Sequence, residues 1–129
     1  MNVIIKNGRL IDVANGLDKI ADIAIENGKI AYIGDIPSSF AAHKTMDATN
    51  KWVIPGLIDS CSRPQVPHPQ GTTLSDEATA AIKRGFTALC IPPDGDPIVD
   101  TSANALRLKQ QNNASLPAIY PIGALTTQL

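Results

Sequence analysis

After the Pro-Gly pair at positions 55 and 56, short apolar runs alternate with helical patterns, and no other feature limits the fold of this chain as much. Residues 57–59 make a short apolar strand ending in a carboxylate. Residues 74–84, "LSDEATAAIKR", place Leu74, Ala78, Ala81 and Ile82 at helical spacing. Asp76 and Glu77 come early and Lys83 and Arg84 late, as the helix dipole prefers. Gly85 suits the left-handed residue that ends a helix. Residues 86–91, "FTALCI", are nearly continuous and apolar, as in a parallel strand covered on both faces. Asp100 or Thr101 can cap a second helix reaching about Gln111. Ala103, Leu106 and Gln110 are expected along one side of it. A third strand starts within residues 116–125. Two right-handed βαβ crossovers are the simplest reading of this order, and the fold class is α/β.

The first fifty residues follow different rules. Apolar runs at 3–5, 10–11, 23–25 and 30–33 are short and separated by turn residues. Asn27-Gly28 is a strong hairpin signal, because the tight turn needs positive φ at both central positions. Asn7-Gly8 carries the same signal and predicts a turn between two strands. "IPSSFAAHK" is an irregular connection, and "TMDATNKWVIP" adds two short extended pieces. The expected division is a small N-terminal β-sandwich segment at 1–54 and an α/β region at 55–129.

Composition narrows the function. Lys plus Arg total 11 against 12 acidic residues, without a basic stripe, which argues against nucleic-acid binding. Two scattered cysteines, Cys61 and Cys90, do not make a secreted disulfide framework. The start lacks a signal-peptide pattern, and no stretch approaches the roughly 20 apolar residues of a membrane span. A cytoplasmic protein with no membrane association is expected.

Particular segments carry a family likeness. "IIKNGRLID" and "DIAIENGKIAYIG" are followed by "WVIPGLID", "RGFTALCIPP" and "DPIVD". In this combination the chain resembles the N-terminal portion of a dihydroorotase, of the amidohydrolase superfamily. The resemblance implies an amidohydrolase-type TIM barrel, of which only the first βα units are present here, preceded by the small β segment. A complete barrel takes roughly 250 residues. The expectation is therefore a fragment, a truncated reading frame or half of an assembly, with a self-sufficient small α/β domain as the alternative.

The resemblance also implies a metal site. In the family an aspartate, a histidine, one spacer and a second histidine follow the Pro-Gly strand. Alternate strand residues point the same way, so the two imidazoles can share a zinc ion. Here Asp59 matches the aspartate, Cys61 stands at the first histidine position and Arg63 at the second. A thiolate can bind zinc, but a guanidinium has no available lone pair and stays positive. His68, between Pro67 and Pro69, is a poor substitute. The family's substrate-holding arginine corresponds to Gln65, and its substrate-holding asparagine to Asp94. Neither residue supplies the original chemistry. A bridging carboxylated lysine, later histidines and the proton-handling aspartate would lie beyond Leu129.

From this resemblance follow the expected functions. The first is a catalytically inactive dihydroorotase-like protein of pyrimidine biosynthesis, a structural partner of aspartate carbamoyltransferase in an oligomeric assembly, with no catalytic residue, metal or cofactor. The alternatives are an active zinc-dependent cyclic amidohydrolase with a rearranged site using Asp59 and Cys61, and a remnant without function. Asp94, Asp96 and Asp100 lack the full pattern of a calcium loop. Cys90 is expected to be a small core residue.

Overall fold

The computed structural model describes residues 1–64, 73–95 and 98–126, and these divide into two compact units, Met1–Pro55 and Gly56–Leu129. The first is one five-stranded sheet. β1 (Val3–Asp12) pairs antiparallel with β2 (Leu17–Glu26), and β2 pairs antiparallel with β3 (Lys29–Ile33). On its other side β1 takes β4 (Lys44–Asp47) and β5 (Trp52–Val53), both parallel. Ile4, Leu10, Ile23, Ala24 and Ala48 are its buried apolar residues.

Asn27 and Gly28 make the hairpin turn, with φ of 51° and 75°. Asn7-Gly8 does not separate two strands. β1 runs through it with a bulge between Ile5 and Gly8, and Asn7 takes φ 61°. A β-bulge accepts the same residue types as a turn without ending the strand. The reason for glycine here is a close approach: a Cβ on Gly8 would sit 2.5 Å from Val53 Cγ2. Asp47 fixes the neighbouring loop. It accepts hydrogen bonds from the Thr49 hydroxyl and backbone N–H and from the Asn7 side-chain amide. Those bonds, the Thr49 hydroxyl's first, hold the Asp47 carboxyl below its ordinary pKa.

The second unit is a parallel three-stranded sheet, β6 (Leu57–Asp59), β7 (Phe86–Ile91) and β8 (Ala118–Pro121), in that order. α1 (Leu74–Ile82) connects β6 to β7, and α2 (Ser102–Lys109) connects β7 to β8. Thr73 caps α1 in a capping box with Asp76, and Gly85 follows at φ 90°, the left-handed conformation expected there. Thr101 caps α2 through its side chain. Leu74, Ile91, Val99, Leu108 and Ile119 form the core, with Ala105 packed against it. Both helices thus cover the sheet with one or two residues each.

The buried face of α2 differs from the expected one. Leu106 is 56% exposed and Ala103 is exposed, whereas Leu108 is 7% exposed and Ala105 half-buried. In an eight-residue helix with four apolar residues, spacing alone leaves two faces available. The position of Val99 and Ile119 selects the one carrying Leu108. Cys90 is half-buried rather than fully enclosed. Among the described residues no helix is long and apolar enough to cross a membrane.

Candidate functional site

Parallel strands put their carboxyl ends at one edge of a sheet, and in α/β folds that edge is where loops carry chemistry. Asp59 is the last residue of β6, and its Oδ1 accepts a hydrogen bond from the Cys61 backbone N–H at 3.0 Å. Pairing continues past the strand, with Ser62 N–H donating to the Cys90 carbonyl at 2.8 Å. This holds the 60–63 segment beside β7.

Three of the sequence-derived positions come together here. Arg63 Nη1 donates to Cys61 Sγ at 3.0 Å, so the guanidinium reaches the thiol. Arg63 Nη2 and Nε donate to Asp94 Oδ2 at 3.1 and 3.4 Å. Asp94 stands in the turn after β7, and the Val99 N–H donates to the Pro93 carbonyl. The side chains of Arg63 and Asp94 are 62% and 55% exposed. Hydrogen bonding to Asp94, then the charges of Asp94 and Cys61, push the Arg63 guanidinium pKa above its already high value. It is a permanent cation.

Beside this cluster is a recess of about 210 Å³, lined in part by Asp59, Arg63, Glu77, Arg84, Phe86 and Leu89. Two carboxylates and two cations share its wall with aromatic and aliphatic groups. Glu77 and Arg84, on and just after α1, read from sequence only as charges that suit the helix dipole. Their i, i+7 spacing identifies one helical face, but nothing in it points to a recess. Gln65, His68 and Asp96 lie outside the described residues. His43 belongs to the first unit, where its Nδ1 accepts from the Asn2 backbone N–H.

The donor set does not fit a metal ion of the family type. Zinc needs lone pairs converging from nitrogen, sulfur or carboxylate oxygen. Arg63 offers donors only, its charge opposes the cation, and Asp94 is already engaged by it. Among the described residues no group of three His, Cys, Asp or Glu side chains could hold a metal.

The fold and this strand-end site define a class. The second unit is a partial, unclosed barrel-like sheet of alternating β and α elements, the first is a separate small sheet, and the fold matches TIM-barrel relatives of the amidohydrolase superfamily. An L-hydantoinase (dihydropyrimidinase) of Arthrobacter aurescens superposes with a TM-score of 0.64 at 29% identity, covering 84% of this chain and 24% of that one. Within this superfamily the chain matches the N-terminal part of dihydroorotases and dihydroorotase-like proteins. It is 40% identical over 128 residues to a dihydroorotase-like protein of Pseudomonas aeruginosa, 98% of this chain and 30% of the relative. It is 33% identical over 128 residues to a dihydroorotase of Trichlorobacter lovleyi, with the same two coverages. The chain thus spans about 30% of the length of these curated relatives. No protein-family model matches it.

Proposed function

We propose that this chain is the N-terminal part of a catalytically inactive dihydroorotase-like protein of pyrimidine biosynthesis. It supports aspartate carbamoyltransferase as a structural partner in an oligomeric, cytoplasmic assembly. Residues 1–54 are then part of a β-sandwich domain, and 55–129 begin the (β/α)8 barrel. One observation carries the reading: Arg63, at a family metal-ligand position, forms an ion pair with Asp94, at a family substrate position. The substrate-holding residues are altered at Gln65 and Asp94, and no catalytic, metal or cofactor role is assigned to any residue of the chain. The kinship with a protein called dihydroorotase-like supports the same conclusion.

The test is the size of the full-length native protein mixed with its own aspartate carbamoyltransferase, by light scattering after gel filtration. A stable joint particle is expected. Two separate peaks would remove the partnership.

A second reading rests on Asp59 and Cys61, which stay adjacent at the strand end. With ligands from elsewhere they would hold zinc in a rearranged cyclic amidohydrolase. That reading requires stoichiometric zinc and hydrolysis of dihydroorotate by the full-length protein. A remnant without function would show instead as poor solubility and rapid degradation.

A further inference from the structure

We infer that Arg63 and Asp94 are a built-in replacement for a bound metal, a covalently attached cation with its own counter-ion, which excludes divalent ions from Cys61 and Asp59. The inference rests on the reading of this strand end as the family's metal position, and it is independent of the transferase partnership.

Sequence alone marks residues 61, 63 and 94 as three separate departures, two at metal positions and one at a substrate position. The structure joins them. The Arg63 guanidinium reaches the Cys61 thiol, with Nη1 3.0 Å from Sγ. The guanidinium therefore occupies the space in which a metal shared by positions 61 and 63 would sit. It also reaches across 31 residues of sequence to the turn after the next strand and directs two of its nitrogens at one oxygen, Asp94 Oδ2. A metal that bridges two strand ends would span the same two positions.

The electrostatics follow from the charges. A guanidinium stays protonated at any physiological pH and accepts no coordinate bond. A divalent ion at Cys61 would face it at a few ångströms, with twice the repulsion of a monovalent ion. Asp94, which would otherwise attract a cation to this edge, is neutralised by the same group. The remaining ligand, Asp59, has Oδ1 committed to the Cys61 backbone N–H. The two departures also depend on each other. Arg63 without Asp94 leaves an unpaired cation, and Asp94 without Arg63 leaves an unpaired carboxylate that invites metal.

The test is a cobalt(II) titration of the full native protein, read by the sulfur-to-cobalt absorption band that reports thiolate ligation. The wild type is expected to show no band that depends on Cys61. Arg63→His, which places an imidazole next to the thiol, is expected to show one, with cobalt affinity raised at least roughly tenfold. Adding Cys61→Ser to that variant should abolish the band. A band of equal strength in the wild type overturns the inference. So does its absence from an Arg63→His protein whose circular dichroism and elution volume match the wild type. If that variant does not fold, Arg63→Met takes its place, and an unchanged Cys61-dependent affinity there overturns the inference equally. Failure of the underlying reading is separable: wild-type hydrolysis of dihydroorotate would sink the non-catalytic assignment, whereas a wild-type cobalt band without hydrolysis sinks only this inference.

Discussion

The core of the second unit and the strand-end cluster belong to the same unit yet are built from opposite materials. Leu74, Ile91, Val99, Leu108 and Ile119 are all less than a tenth exposed. Asp59, Cys61, Arg63 and Asp94 are charged or polar and reach solvent. The core derives its energy from removing hydrocarbon from water, and that energy does not depend on which reaction the sheet supports. The cluster, with Arg63 and Asp94 more than half exposed, is expected to contribute little to folding. Substitutions in the cluster can therefore change the chemistry while the fold stays within its family. On the proposed reading of Arg63 as standing at a metal position, that separation lets the chain keep 40% identity with its relative.

The largest expected effect tests the core half of this contrast. Leu108→Ala deletes most of a buried side chain between α2 and the sheet and should cost about 2–5 kcal/mol in urea unfolding. Leu106→Ala, at the exposed position of the same helix, should cost well under 1 kcal/mol. Equal costs at 106 and 108 would place the helix on its other face.

Next in size is Gly56→Ala. A Cβ at Gly56 would lie 2.7 Å from Thr87 Cβ, on the neighbouring strand, and nearer still to both branches of that side chain. Rotating Thr87 cannot relieve a contact with its own Cβ, so the strands must part. A loss of about 1–3 kcal/mol is expected. Thr87→Ala should not rescue it, because the Cβ contact remains. Full rescue would show that only the methyl and hydroxyl branches matter.

How much of this was legible in the sequence varies by region. The βαβ order, the glycine that ends α1, the hairpin at Asn27-Gly28 and the strand at 86–91 follow from local chemistry, where spacing and turn residues act over a few positions. The bulge at Asn7-Gly8 does not. It has the same dipeptide as the hairpin, and what distinguishes them is Val53 packed over Gly8, a contact 45 positions away in the chain. The buried side of α2 likewise depends on Val99 and Ile119 rather than on the helix's own period. At the site, each of Cys61, Arg63 and Asp94 was marked singly by the resemblance. Their union was not visible, because an ion pair between positions 63 and 94 depends on which turns two parallel strands bring side by side.

A smaller effect separates helix capping from both regions. Thr73→Ala removes the hydroxyl that accepts from the Asp76 backbone N–H and donates to its carboxylate. A loss of about 1 kcal/mol is expected near neutral pH. Hydrogen bonds from the Thr73 backbone and then its hydroxyl lower the Asp76 carboxyl pKa. A depressed carboxyl stabilises the fold fully above its unfolded value, about 3.9, and loses that contribution as pH falls through the lower folded value. The difference between wild type and Thr73→Ala should therefore shrink only below about pH 4. A difference that shrinks between pH 6 and 8 would point to another titrating group.

The smallest expected effect is at the cluster itself. Arg63 and Asp94 are more than half exposed, and such pairs exchange one set of hydrogen bonds for another in water. A double-mutant cycle with Arg63→Met and Asp94→Asn should give a coupling in urea unfolding too small to resolve at moderate salt, although the pair is drawn tightly in space. The physical reason is that water solvates both groups nearly as well apart as together, while holding two long side chains in register costs entropy. A null result here is informative because the core variants have set the scale: the same sheet that loses several kcal/mol at Leu108 would be indifferent to its ion pair. A large, salt-sensitive coupling would break the contrast, since the cluster would then hold the strand ends together as well as setting their charge. Residues 63 and 94 would in that case be fixed by folding before any question of metal arose.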